Sequence, residues 1–144
     1  MFKTFTFTFC FVFACCLVLL CLGCRNGRSL SGLVPVEGTV YYDGKPLLAA
    51  TIKFYPVNQG DNARTATGSA NAEGRFIVTT LESHDGMYPG EYQVGISRYY
   101  DEVRNEPTTE TTISERYESR SRSGLTAVIP SGGTKDLRFD LTSQ

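Results

Sequence analysis

Residues 89–97 read Pro-Gly-Glu-Tyr-Gln-Val-Gly-Ile-Ser, placing Tyr92, Val94 and Ile96 on one side of an extended chain and Gln93, Gly95 and Ser97 on the other. Side chains of a strand alternate between two faces, so this period of two marks a strand with one buried face. Pro89-Gly90 opens it with a turn pair. The same rhythm recurs outward in both directions. Val36, Val40 and Tyr42 alternate with Glu37, Thr39 and Tyr41; Ile52 and Phe54 alternate with Thr51, Lys53 and Tyr55; Phe76 and Val78 share a face. Downstream, Leu125, Ala127 and Ile129 form one set, and Leu137, Phe139 and Leu141 form another against Arg138 and Asp140. The small-residue stretch 64–70, with β-branched Thr65 and Thr67, supplies a seventh strand.

Turn chemistry falls between these segments. Asp43-Gly44-Lys45-Pro46 ends the first strand, and Asn71-Ala72-Glu73-Gly74 joins two short ones. No window of ten residues past the N-terminal segment carries an apolar stripe at helical spacing. Seven strands without helices predict an all-β fold, a seven-strand antiparallel β-sandwich, because each sheet has an apolar face that only a second sheet is available to cover. Two stretches break the rhythm. Residues 58–62 are a polar loop, and 98–124 is a long run of charge, threonine and serine including Glu110, Glu115, Arg116, Glu118, Arg120 and Arg122. Its composition predicts a solvated, mobile loop.

All five cysteines lie in the first 24 residues. From Phe9 to Leu22 run 14 apolar residues, preceded by Lys3 and followed by Gly23-Cys24 and then polar Arg25-Asn26-Gly27-Arg28. That length fits the apolar core of an export signal, about 7 to 15 residues, better than the roughly 20 of a spanning helix. A small residue before a cysteine is what lipoprotein processing needs. Residues 1–23 are therefore expected to be a signal peptide, Cys24 the lipidated N-terminus, 24–34 a tether and 35–144 the β-domain. Cys21 stands where leucine is usual in such a box, and an uncleaved membrane helix beginning at Phe5 is the alternative. Both place the domain outside the cytoplasmic membrane, with several acyl chains giving the firmer hold. Without residues 1–23, the 14 basic residues become 13 against 15 acidic ones, a balance that argues against nucleic acid. No cysteine remains for a disulfide, so packing must hold the domain together.

Taken in order, Val36-Glu37-Gly38-Thr39-Val40, Asp43-Gly44-Lys45-Pro46-Leu47, Ala50-Thr51-Ile52-Lys53-Phe54, Asn71-Ala72-Glu73-Gly74-Arg75-Phe76 and Pro89-Gly90-Glu91-Tyr92-Gln93-Val94 resemble the carboxypeptidase regulatory-like domain of bacterial exported lipoproteins. Ser123 to Val128, followed by Leu137 to Leu141, is similar to the close of such domains. The resemblance covers residues 35–142 and implies a transthyretin-like (prealbumin, Ig-like) sandwich. It also implies a scaffold role, since these domains usually accompany enzymes, transporters and surface proteins without a catalytic site of their own.

The residues offer little for chemistry. His84 is the sole histidine, with Glu82 and Asp85 nearby, too few ligands for a metal and no nucleophile for a base to activate. The 5-hydroxyisourate hydrolases share the transthyretin-like fold, but their site uses more than one histidine and a Tyr-Arg-Gly-Ser ending, where this chain ends Asp140-Leu141-Thr142-Ser143-Gln144. No nucleophile elbow or phosphate-binding glycine loop is present. Asp43, Asp61 and Asp85 sit in turns, without the dense spacing of a calcium loop. Lys53 has no asparagine on the last strand with which to form an isopeptide bond. The expectation is therefore no catalytic residue, metal or cofactor.

Tyrosine joins an apolar ring to a polar tip and suits glycan or protein surfaces. Parity puts Tyr42 and Tyr92 in the core and Tyr41 and Tyr55 outside, while Tyr99 and Tyr100 lie where the long strand enters the charged run. These four are the candidate interaction surface. The leading expectation is a non-catalytic, lipid-anchored envelope module that contacts an envelope protein, above all through 98–124. The alternative is a carbohydrate-binding module stacking sugars on the tyrosines.

Overall fold

A computed structural model describes residues 30–60, 63–98, 100–101, 106–107 and 113–143. Residues 1–29, with the expected signal, Cys24 and most of the tether, lie outside the described residues, as do Asp61 and Tyr99. Among the described residues no helix is long and apolar enough to cross a membrane.

Among the described residues the regular structure is almost entirely β. Its strands are β1 (Val36–Tyr42), β2 (Lys45–Pro46), β3 (Ala50–Pro56), β4 (Ala66–Ser69), β5 (Arg75–Thr79), β6 (Gly90–Arg98), β7 (Tyr100–Asp101), β8 (Glu106–Pro107), β9 (Leu125–Ile129) and β10 (Thr134–Leu141). The longer ones coincide with the segments read from alternation. Eight strands form one continuous sheet in the order β10, β1, β5, β4, β3, β6, β9, with β2 on β1, while β7 and β8 pair separately. Strand β5 joins the two halves: Arg75, Phe76 and Ile77 pair with β1, and Val78 and Thr79 pair with β4.

One pairing departs from the antiparallel expectation. β1 and β10 run parallel, from Val36 opposite Thr134 to Tyr42 opposite Leu141, with a register shift between Val36 and Gly38. Period two tells which face a residue occupies but not which strand lies alongside, so this partner was not readable from alternation.

The sheet is curled. β3 and β10 stand four steps apart in strand order, about 19 Å in a flat sheet, yet the rings of Phe54 and Phe139 lie 6.2 Å apart. Phe76 meets both, at 6.3 Å and 6.1 Å, and Tyr92 packs edge-on against Phe54. The inward residues of every long strand meet around these rings. Phe76 also explains the weak fourth strand. A Cβ at Gly68 would come within 2.9 Å of its ring, and one at Gly38 within 2.6 Å, so the positions beside it must be small.

The run 98–124 does not behave throughout as a solvated loop. Its later part packs: Ile113 is buried, and so is Tyr117 within a 3₁₀ turn at Glu115–Glu118. The Tyr117 hydroxyl accepts the Thr142 backbone N–H at 3.0 Å and an Arg116 guanidinium N–H at 2.6 Å, tying the turn to the end of β10. The buried Ser123 hydroxyl donates to the Val94 carbonyl and accepts the Leu125 N–H. The turn rests on Gly95, where a Cβ would sit 3.0 Å from the Glu118 carbonyl oxygen.

Candidate functional site

On the outer face, the register of β3, β4 and β5 brings hydroxyls together. Thr51 stands opposite Ser69, and Thr67 stands opposite Thr79. Beside them on β5, Ile77 is 43% exposed and faces Glu37 of β1. These residues line a groove of about 570 Å³ whose rim carries Arg75 and His84. The Thr79 hydroxyl is engaged by the backbone N–H of His84 at 3.0 Å. Those of Thr51, Thr67 and Ser69 have no hydrogen-bond partner among the described residues and face solvent.

Two turns fix the rim. The Asn71 carboxamide oxygen accepts the N–H groups of Glu73 and Arg75, closing the link from β4 to β5. Asp85 does the same on a larger scale, accepting N–H groups from Thr80, Leu81 and Glu82 at 2.7 to 2.9 Å. Burial pushes its carboxyl up, but these donors outweigh that and hold it below the usual carboxylate range. Gly86 has φ +85°, and a Cβ there would lie 2.1 Å from the Val34 carbonyl oxygen, so the loop is seated closely on the chain before β1. Val34 also exchanges two backbone hydrogen bonds with Met87. His84 itself takes a positive φ of 62° and is exposed.

The tyrosines do not converge. Tyr41 is half-buried on β1 with the Arg138 guanidinium 4.3 Å from its ring centroid, and Arg138 in turn makes a two-point ion pair with Asp140. Tyr55, on β3, has Arg120 at 5.2 Å. Strands β5 and β4 lie between them in the sheet. Tyr100 belongs to β7, and Tyr99 lies outside the described residues. The turn aspartates serve the fold: Asp85 closes its loop, and Asp43 accepts the Ser143 N–H. No cluster of three or more His, Cys, Asp or Glu side chains among the described residues could hold a metal.

No protein-family model matches the chain, and no curated protein matches it in sequence. Among solved structures it is similar to a 9R-lipoxygenase from Cyanothece PCC8801, at 16% identity and a TM-score of 0.38, over 83% of this chain and 18% of that one. The chain thus spans less than a fifth of the lipoxygenase, and so distant a likeness says nothing of function.

Sequence reading missed the groove. Parity put Thr51 outside and β-branching put Thr67 in a strand, but their adjacency depends on which strands pair and in what register. The signal for His84 at the rim was present in part: Asp85-Gly86 promised a tight turn, without showing where it docks.

Proposed function

We propose that this protein is an exported, lipid-anchored, non-catalytic envelope module: a seven-strand transthyretin-like β-sandwich that holds another envelope component against its outer face. The observation that carries the recognition reading is the hydroxyl-lined groove. Three unengaged hydroxyls, an exposed isoleucine and a rim bearing one acid, one guanidinium and one imidazole offer donors, acceptors and apolar area together. The turns beneath are fixed by their own hydrogen bonds, so the surface is preorganised and little ordering is lost on binding. The polar groups of Asp85, Tyr117 and Ser123 are occupied in fastening loops, which supports a scaffold rather than a reacting centre. The anchor reading rests on Gly23-Cys24 after the apolar run.

The test places a photo-crosslinking residue at Thr67, and separately at exposed Gln93 on β6, in the full chain in whole cells. An adduct with an envelope component from position 67 and not from 93 is expected. Equal yields, or none at 67, contradict the reading. In the same cells Cys24→Ser is expected to release the protein from membranes with its fold unchanged, and continued membrane association after signal removal contradicts the anchor. A carbohydrate ligand is the second reading, favoured by the free hydroxyls of Thr51, Thr67 and Ser69. A glycan array without any hit removes it.

A further inference from the structure

Two loops seat on the residues just before β1. Val34 exchanges backbone hydrogen bonds with Met87, and a Cβ at Gly32 would lie 3.5 Å from the Tyr88 ring. The Thr134 N–H donates to the Pro35 carbonyl, whose oxygen a Cβ at Gly133 would strike. The chain therefore enters the sheet along a fixed route, at one end of its strands. β1 leads away from that end, and β3, β5 and β9 return to it, so the links 57–65, 80–89 and 130–133 surround the entry. The links 43–49 and 70–74 lie at the opposite end.

We propose that the entry end of the sheet lies against a zwitterionic lipid headgroup layer, with Leu81 and Val57 as its apolar contacts; the inference rests on the lipid anchor at Cys24. Reach decides the end. Gly32 is eight residues from Cys24, at most about 29 Å with the chain fully extended. β1 alone spans seven residues, about 23 Å, so the far links meet the bilayer only if the tether runs back alongside the sheet almost straight. The entry end meets it with no extension at all. Leu81 and Val57 are 51% and 48% exposed in the links at that end, where an acyl anchor holds them beside apolar lipid. Charge selects the headgroup. The Asp85 carboxyl is taken up by backbone N–H groups, but Glu82 and Glu91 are exposed there with Arg64, a mixture that suits a zwitterionic layer better than an anionic one. The groove then stands along the bilayer normal, with His84 at its membrane end and Asn71 and Arg75 at its outer end.

The test uses the full chain, expressed in cells, purified in detergent and reconstituted into phosphatidylcholine vesicles doped with headgroup spin-labelled lipid. Leu81→Cys, Val57→Cys and Leu48→Cys each change an exposed position, and each thiol is labelled with an environment-sensitive fluorophore. Labels at 81 and 57 are expected to be quenched several-fold more strongly than the label at 48, which belongs to the far end, and to show the blue-shifted emission of an apolar surround. Quenching or blue shift at 81 or 57 no greater than at 48, in a chain whose intact mass shows the acyl chains, overturns this orientation and leaves the anchor standing. An intact mass without acyl chains overturns both.

Discussion

β9 and β10 are the two ends of one sheet, joined by a four-residue turn, and they expose opposite chemistry. β10 is eight residues long, sends Phe139 and Leu141 into the core and shows charge outward; β9 is five residues long, sends Ala127 and Ile129 inward and shows threonine and valine. Inward residues hold each strand to the body, and outward residues decide what else can approach. On that division, truncation inside and charge change outside have different consequences.

The largest expected effect lies inside β10. Phe139 is 4% exposed and touches the rings of Phe54 and Phe76, so Phe139→Ala is expected to cost about 3 to 5 kcal/mol in denaturant unfolding. Ile129→Val, the mild inward change in β9, is expected to cost about 0.5 to 1.5 kcal/mol. A cost below about 1 kcal/mol for Phe139→Ala, within the range of surface changes, contradicts the curl that brings β10 onto β3.

Acid unfolding sharpens the outward side. The carboxyls of Asp85 and Asp140 are both held below their usual range, Asp85 by backbone donors that outweigh burial and Asp140 by its hydrogen bonds with Arg138. A carboxyl lowered in the fold contributes stability that is complete above its unfolded value, about 3.9, and is lost as pH falls through the lower folded value. Stability is therefore expected to fall as pH drops below about 4, and Asp85→Asn is expected to flatten that fall. Asp140→Asn is expected to change it least, because the Arg138 pair is exposed and screened. That small effect separates an exposed edge charge from one that holds the fold. A larger effect at Asp140 than at Asp85 contradicts the distinction.

The strands were legible in the sequence because their faces differ: Tyr92, Val94 and Ile96 are all buried, as their alternation requires. What alternation cannot encode is the neighbour, hence the parallel union of β1 with β10 and the meeting of Thr51, Thr67, Ser69 and Thr79 on one face. The packing of 113–123 had a faint signal. Gly95 sits within a long strand, where a missing side chain often marks close approach of another backbone, and Ile113 and Tyr117 are apolar rings and branches inside a charged run. Charge composition masked them. Tyr41 and Tyr55 were placed on the correct parity, but each lies beneath an arginine and the two belong to separated strands.

The curl that gathers both strands around one core is tested most directly by amide hydrogen exchange on the full chain, strand by strand. Packing of Phe139 on Phe54 and Phe76 predicts that Phe139→Ala speeds exchange in β3 and β5 as well as in β10. Faster exchange confined to β10, with β3 and β5 unchanged, contradicts it.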